Sequence, residues 1–437
     1  MRTHRGVTLV ELLIAMVVTA FAISGALLMV QAQQRLFSTG NKQRQAQQSA
    51  RAAILFLEQK IPLAGFGMDP ANAFDFAWYG CAAGPASCPR DSVAAPDELV
   101  FYARDPNYRL VYDSASDTTT FYGRAWQAIT VTPTKIQIAA RGTEVFRKGQ
   151  ILQLACGKEL RYTHVTVQAK TAALGPGPID VPLEPVAPGV LARNVPADPF
   201  RRQDATDTTN ADFKKWNACF TAQPRVFLID RYRFHVRAVD VGGGRFDPYL
   251  VLDQGVDTNE DDQITVDDEI LVAEGIENFQ VAYQFIDPSL PIAGNVPGTA
   301  ITVPTAGTAA GTAAQTITPT NFPGPYDASI TYPLLNSCQF FISSMVPLPK
   351  PRLTNDQGNI RAVHVAVVAR SPEPDPTTPS NLRYTAGSPL WIYNFNTLPP
   401  FIADYLASHN NEDHYLRAVM DTALTVPNMS ARGLLPN

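Results

Sequence analysis

Asp257, Asn259, Asp261, Gln263, Thr265 and Asp268 occupy positions 1, 3, 5, 7, 9 and 12 of the stretch DTNEDDQITVDD. Calcium takes six to eight hard oxygens, and this spacing wraps oxygen-bearing residues around one point. Seven of the thirteen residues Asp257–Glu269 are acidic, and without a cation they would repel one another. Ile264 stands at the apolar eighth position. Asp262 stands at the sixth, where a glycine is usual, so the spacing predicts a left-handed backbone at an aspartate, which tolerates it better than most residues. No helical pattern flanks the stretch, which predicts an isolated loop between strands. Ca2+ is the expected cofactor.

A second group stands out by its surroundings. Glu11 interrupts the apolar run Val7–Val30. An ionised side chain near the centre of a bilayer costs about 2.5–3.5 kcal/mol on insertion scales, so such a residue calls for a partner or a function. Elsewhere the chemistry is thin. His409, Glu412, Asp413 and His414 in HNNEDH match no metalloprotease spacing, and a helix starting near Asn410–Asn411 and carrying His414, Leu416 and Val419 explains them more simply. The chain has no phosphate-binding loop, dinucleotide fingerprint or nucleophile elbow, so no enzyme activity is expected. Of its five cysteines, Cys81 and Cys88 bracket a short Gly/Pro/Ser-rich loop and Cys156 with Cys219 is a weaker second pairing; Cys338 is left over. Disulfides require an oxidising compartment.

The elements that position these groups follow from periodicity. Charged residues make up 17% of the 437 and apolar ones 45%, as in an ordinary globular body, and the net charge of −5 without a basic stripe excludes a nucleic-acid partner. Residues 7–30 are long enough to span a bilayer, and Arg2 and Arg5 place the N-terminus in the cytoplasm. Ala46, Ala50, Ala53, Ile54, Leu57 and Ile61 then form one apolar stripe, so residues 31–61 read as an amphipathic continuation. Val7 to Ile61 would measure about 80 Å as a helix. Pro62 and Gly65-Phe66-Gly67 end it. Beyond it β-rich runs dominate: 97–105, 135–140, 151–156, 162–169, 225–239, 277–287 and 360–371. Residues 174–199 and 287–325 are Pro- and Gly-rich and read as inserted loops in a head covering 62–437.

The stretch GVTLVEL, with a basic leader, Gly6, an apolar Val7 and a glutamate at the fifth position after the glycine, resembles the class III signal of type IV prepilins. The resemblance implies cleavage after Gly6 by a prepilin peptidase, methylation of the new N-terminus at Val7, and pairing of Glu11 with the terminal amine of a neighbouring subunit. Val7 departs from the usual phenylalanine. Four further blocks, QSARAAILFLEQKIPLAGFG, PDELVFYAR, LVAEGIENFQVAYQF and IRAVHVAVVARSPEP, are similar in kind and order to those of PilW-type minor pilins. The resemblance implies an α+β, type IV pilin-like fold: a long N-terminal helix, transmembrane and then amphipathic, packed on an antiparallel β-rich head with long loop insertions. It implies a minor pilin that helps prime pilus assembly and forms part of the tip complex, with other minor pilins, the major pilin and a tip adhesin as partners. The precursor would sit in the inner membrane with its head in the periplasm, and the assembled subunit at the pilus tip on the cell surface. The alternatives are a J-type pseudopilin of a type II secretion system and a membrane-tethered, calcium-dependent adhesin.

Overall fold

A computed structural model describes residues 8–68, 70, 73–74, 96–104, 109–113, 118–122, 125–132, 134–139, 145–156, 161–171, 178–184, 223–242, 246–285, 301–304, 314–317, 334–335, 360–374 and 415–430. Helix α1, Leu9–Lys60, is continuous over 52 residues and passes through Gly25 and Gly40 without interruption. Its apolar first half is exposed throughout. Its buried residues are Ala46, Ala50, Ala53, Ile54 and Leu57, the stripe expected from the 3.6-residue period. Pro62 forces the change to a short 3-10 turn, Ile61–Leu63, because it has no N–H to continue the ladder. The Gly65–Gly67 turn is then sewn to the first strand by Gly65 N–H donating to Tyr102 and Arg104 N–H donating to Phe66.

The strands are β1 Leu99–Arg104, β2 Arg109–Asp113, β3 Thr118–Tyr122, β4 Ala125–Val131, β5 Lys135–Ala139, β6 Ile151–Cys156, β7 Arg161–Thr166, β8 Pro178–Pro182 and β9 Arg225–Asp240. They continue as β10 Phe246–Asp253, β11 Ile270–Glu274, β12 Ile276–Phe285, β13 Ile301–Pro304, β14 Ala314–Ile317, β15 Leu334–Leu335, β16 Ile360–Arg370 and β17 Arg417–Thr425. Every pairing among the described residues is antiparallel. The architecture is α+β, one long N-terminal helix on antiparallel sheets, consistent with a pilin-like fold. Two segments expected as loops contain strands: β8 lies within 174–199 and pairs with β5, and β13 with β14 forms a hairpin within 287–325.

The 16-residue strand β9 is the spine of the head. One of its edges carries β10 and β6, the other β1 and β4. Its even-numbered residues serve two cores. Val226 and Leu228 join a core built from β4–β8, while Tyr232 and Phe234 join the main core with α1, β1, β10, β12, β16 and β17. Strands β4–β8 with the start of β9 thus form a second β-lobe with its own apolar interior. The four-stranded sheet runs β15-β12-β16-β17. Its inner face alternates as its sequence does: Phe279, Val281 and Tyr283 stand opposite Val367, Val365 and Val363.

Gly275 is the single residue between β11, in the large sheet, and β12, in the smaller one. Its φ of +77° turns the chain from one to the other, its N–H donates to Pro248 and its carbonyl accepts from Arg370. A Cβ there would meet the Arg370 carbonyl oxygen at 2.9 Å, so only glycine fits without strain.

Val419 corrects the sequence reading. It lies in strand β17, not on a helix, and Leu416 is the buried residue just before that strand. The alternation that decides it is supplied by β16, which pairs with β17 from Arg370↔Arg417 to Ala362↔Thr425. Residues 409–414 lie outside the described residues.

Candidate functional site: the helix start and the acidic loop

At the head of α1, Thr8 is the N-cap and Glu11 the third helical residue. The Glu11 N–H donates to Thr8 Oγ1 at 3.3 Å, and the Glu11 carboxylate accepts from the Thr8 N–H at 2.9 Å and from its hydroxyl at 3.0 Å. This reciprocal capping box satisfies donors that a helix start leaves open. It gives Glu11 a partner within its own chain that the sequence reading missed, although the T-x-x-E spacing was there to find. Both donors are neutral, so the negative charge itself stays uncompensated within the described residues around it. The cleavage-site residues Gly6 and Val7 lie outside the described residues.

The acidic loop lies between β10 and β11, with only the short 3-10 turn Val266–Asp268 inside it. Asp262 adopts φ +67°, the left-handed conformation expected at that position, and Glu260 does so too at +66°. Asp257 is buried, and its carboxylate organises the turn: Oδ1 accepts from Glu260 and Asp261 N–H, Oδ2 from Asp262 N–H at 2.8 Å. Asp268 closes the far end, accepting from Thr258 N–H at 2.6 Å and Asn259 N–H through Oδ1 and from Thr265 N–H through Oδ2. Those hydrogen bonds hold its carboxyl below the ordinary aspartate range against the opposing effect of burial. Asp261 accepts from the Gln263 N–H and the Asn259 amide.

The acids sort by position. Glu260, Asp262 and Glu269 lie off the expected ligand positions, and each has basic partners from neighbouring elements. Glu260 pairs with Lys170 and Arg147, Asp262 with Lys148, and Glu269 with Arg237 and His235. Asp257, Asp261 and Asp268 are held by loop N–H and side-chain donors instead. The expectation that repulsion alone demands a cation is therefore too strong, since three of the seven acids are paired with basic groups of the protein. Among the described residues no three His, Cys, Asp or Glu side chains are grouped closely enough to hold a metal.

The partners of Glu260 and Asp262 come from the second lobe. The turn Arg147–Gln150 carries Gly149 at φ +83°, packed so closely on Gly255 and Ile264 that a Cβ would collide with both. Asp257 N–H donates to the Lys148 carbonyl. On the other side, Arg231, Arg233, His235 and Arg237 form an alternating basic row on β9, answered by Asp253, Glu98 and Glu269. The sequence RYRFHVR displays that row at period two, but its carboxylate partners are distant in sequence. Of the candidate disulfide residues, Cys81, Cys88 and Cys219 lie outside the described residues, as does the side chain of Cys156.

Residues 1–27 match the family model for the prokaryotic N-terminal methylation motif. The chain carries a type IV pilin-like prepilin N-terminus. A prepilin motif marks a structural rather than a catalytic class, and it implies processing by a prepilin peptidase and assembly with other pilins. Set at the head of an exposed apolar helix, it also accounts for anchoring in the inner membrane before assembly. No curated protein and no solved structure matches the prepilin chain.

Proposed function

We propose that the protein is a PilW-type minor pilin that helps prime a type IV pilus and sits in its tip complex, with other minor pilins, the major pilin and a tip adhesin as neighbours. The observation that carries this reading is the prepilin motif at the head of a helix whose first half is apolar and exposed and whose second half is packed on a β head. A J-type pseudopilin shares both features, so a knockout is scored for piliation and for protein secretion; a secretion defect with normal pili favours the pseudopilin.

The role of Glu11 separates into two parts that one substitution distinguishes. Glutamine is as good a capping-box partner as glutamate. Glu11→Gln therefore keeps the helix start and removes only the charge. Membrane insertion should be unchanged, while incorporation into pili should drop on the order of tenfold or more, the equivalent of losing a charge pair in lipid. Immunoblots of sheared pili against membrane fractions measure this. Wild-type incorporation of the glutamine variant would reduce Glu11 to a helix cap. Mass spectrometry of the mature protein should find Val7 as the methylated first residue.

The acidic loop supports a further part of the proposal, that it takes Ca2+ through Asp257, Asn259, Asp261, Gln263, Thr265 and Asp268. What favours it is the left-handed Asp262 together with the placing of basic partners on Glu260, Asp262 and Glu269 only. Asp257 also holds the loop backbone, so its removal would damage the loop with or without metal. The exposed Asp261 is the cleaner target. Calcium at about ten times its dissociation constant should raise the melting temperature of the wild type by roughly 2 °C, and Asp261→Asn should lose most of that rise while melting normally in chelator. An equal deficit in chelator would count against a metal role.

A further inference from the structure

We infer that the cleft between the acidic loop and the second lobe is a binding site for a small oxyanion, a carboxylate or a phosphate group, centred on Arg231. The cleft has a volume of about 90 Å3, and its polar lining includes Arg147, Gln150, Asp230, Arg231, Gln254 and Thr258. That is several times the space one water needs, so the cleft has room for a small oxyanion such as a carboxylate or phosphate.

Arg231 supplies the reason for an anion. Its side chain is 3% exposed, yet its five N–H donors meet one acceptor, Asp253 Oδ2 at 3.3 Å. Its Nε is buried with no hydrogen-bond partner. It shares that one acceptor with Arg233, which binds the same oxygen at 3.0 Å, and Asp253 Oδ1 accepts from Gly255 N–H. Arg233 is itself satisfied by both oxygens of Glu98. Asp253 is held ionised by the two arginines, against burial. A buried guanidinium with open donors beside a cleft is stabilised by a planar or tetrahedral oxyanion, which accepts from two of its N–H groups at once. A second guanidinium, that of Arg147, stands in the lining, while Glu260 engages it at 3.4 Å on the loop side. Against these two cations the lining holds one carboxylate, Asp230. An anion seated here touches residues of both lobes, Arg147 and Gln150 from the second and Gln254 and Thr258 from the loop. Its binding therefore adds to the stability of their docking.

The test is thermal unfolding of the full chain in detergent, titrated with sodium phosphate or sodium acetate against sodium chloride at matched ionic strength. At least one of the two oxyanions should raise the melting temperature of the wild type saturably, by about 2–4 °C over chloride. A response to acetate alone identifies a carboxylate site, and one to phosphate alone a phosphate site. Arg231→Gln should abolish the response. Should that variant fail to fold, Gln254→Ala, which leaves the arginine row intact, should raise the midpoint concentration several-fold. Responses to both oxyanions that grow without saturating, or that are unchanged in Gln254→Ala and in any folded Arg231→Gln, would overturn the site.

Discussion

Glu277→Ala should destabilise the head by about 3–5 kcal/mol, the penalty expected when one partner of a buried ion pair is removed. Glu277 is fully buried and the Arg417 side chain only 5% exposed. Arg417 engages both carboxylate oxygens, through Nε to Oε1 and through Nη2 to Oε2 at 3.2 Å. The pair spans β16, linking β12 to β17 across the strand between them. Glu277 can reach because it sits at an irregularity in the β12–β16 register, between Ile276 and Asn278. Alanine would leave the guanidinium in the interior without the carboxylate that neutralises it, although its Nη1 still donates to the Tyr415 carbonyl at 3.3 Å. The double variant Glu277→Met with Arg417→Met removes both charges and should recover most of the loss. Urea denaturation of the two variants measures this. Equal destabilisation by the single and double changes would mean that packing, not charge, is what the pair contributes.

Acid should unfold the second lobe early, and His164 is the reason. Gln153 takes Arg104 through Oε1 at 2.6 Å, so its amide nitrogen is the group facing His164 Nε2 at 3.2 Å. His164 Nε2 is then an acceptor and carries no proton. Burial, with a smaller effect from the nearby Arg104 charge, depresses the His164 pKa to about 3. The unfolded chain takes up that proton near pH ~6.5. Between these values the unfolded state binds more protons than the folded one, so stability is complete above about pH 6.5 and falls by about 1.4 kcal/mol per pH unit below it, approaching ~5 kcal/mol near pH 3. His364, also depressed by burial, acts in the same direction. Asp253 and Asp268, whose folded pKa values are lowered, add their loss only below about pH 4. His164→Gln should be less stable than the wild type at pH 7 yet lose less between pH 7 and 4.5. Urea midpoints falling in parallel for both proteins would refute the role of His164.

These two interior groups and the exposed helix belong to one division of labour. The first half of α1 is shaped for lipid and for other helices, and the head fixes its own geometry with buried charges whose partners lie on separate strands. Such pairs fix strand register, because a slipped strand would leave a charge uncompensated.

The sequence by itself determined the long helix, its buried stripe, its end at Pro62, most of the strands, the prepilin motif and the left-handed turn of the acidic loop. Each is set by neighbours within a few residues: a 3.6- or 2-residue period, a missing N–H, a carboxylate reaching the next turn. Only the tertiary structure decided what pairs with what. Val419 and its neighbours became strand because β16 offered them a ladder, and residues 178–182 because β5 did. Glu260 and Asp262 found lysines about a hundred positions away on the second lobe, which offsets two of the loop's seven negative charges. Arg231 was left with one shared acceptor because Arg233 lies two residues away on the same face of β9. Electrostatic and hydrogen-bond complementarity act through space at a few ångströms, and the sequence separation of the partners carries no trace of that distance.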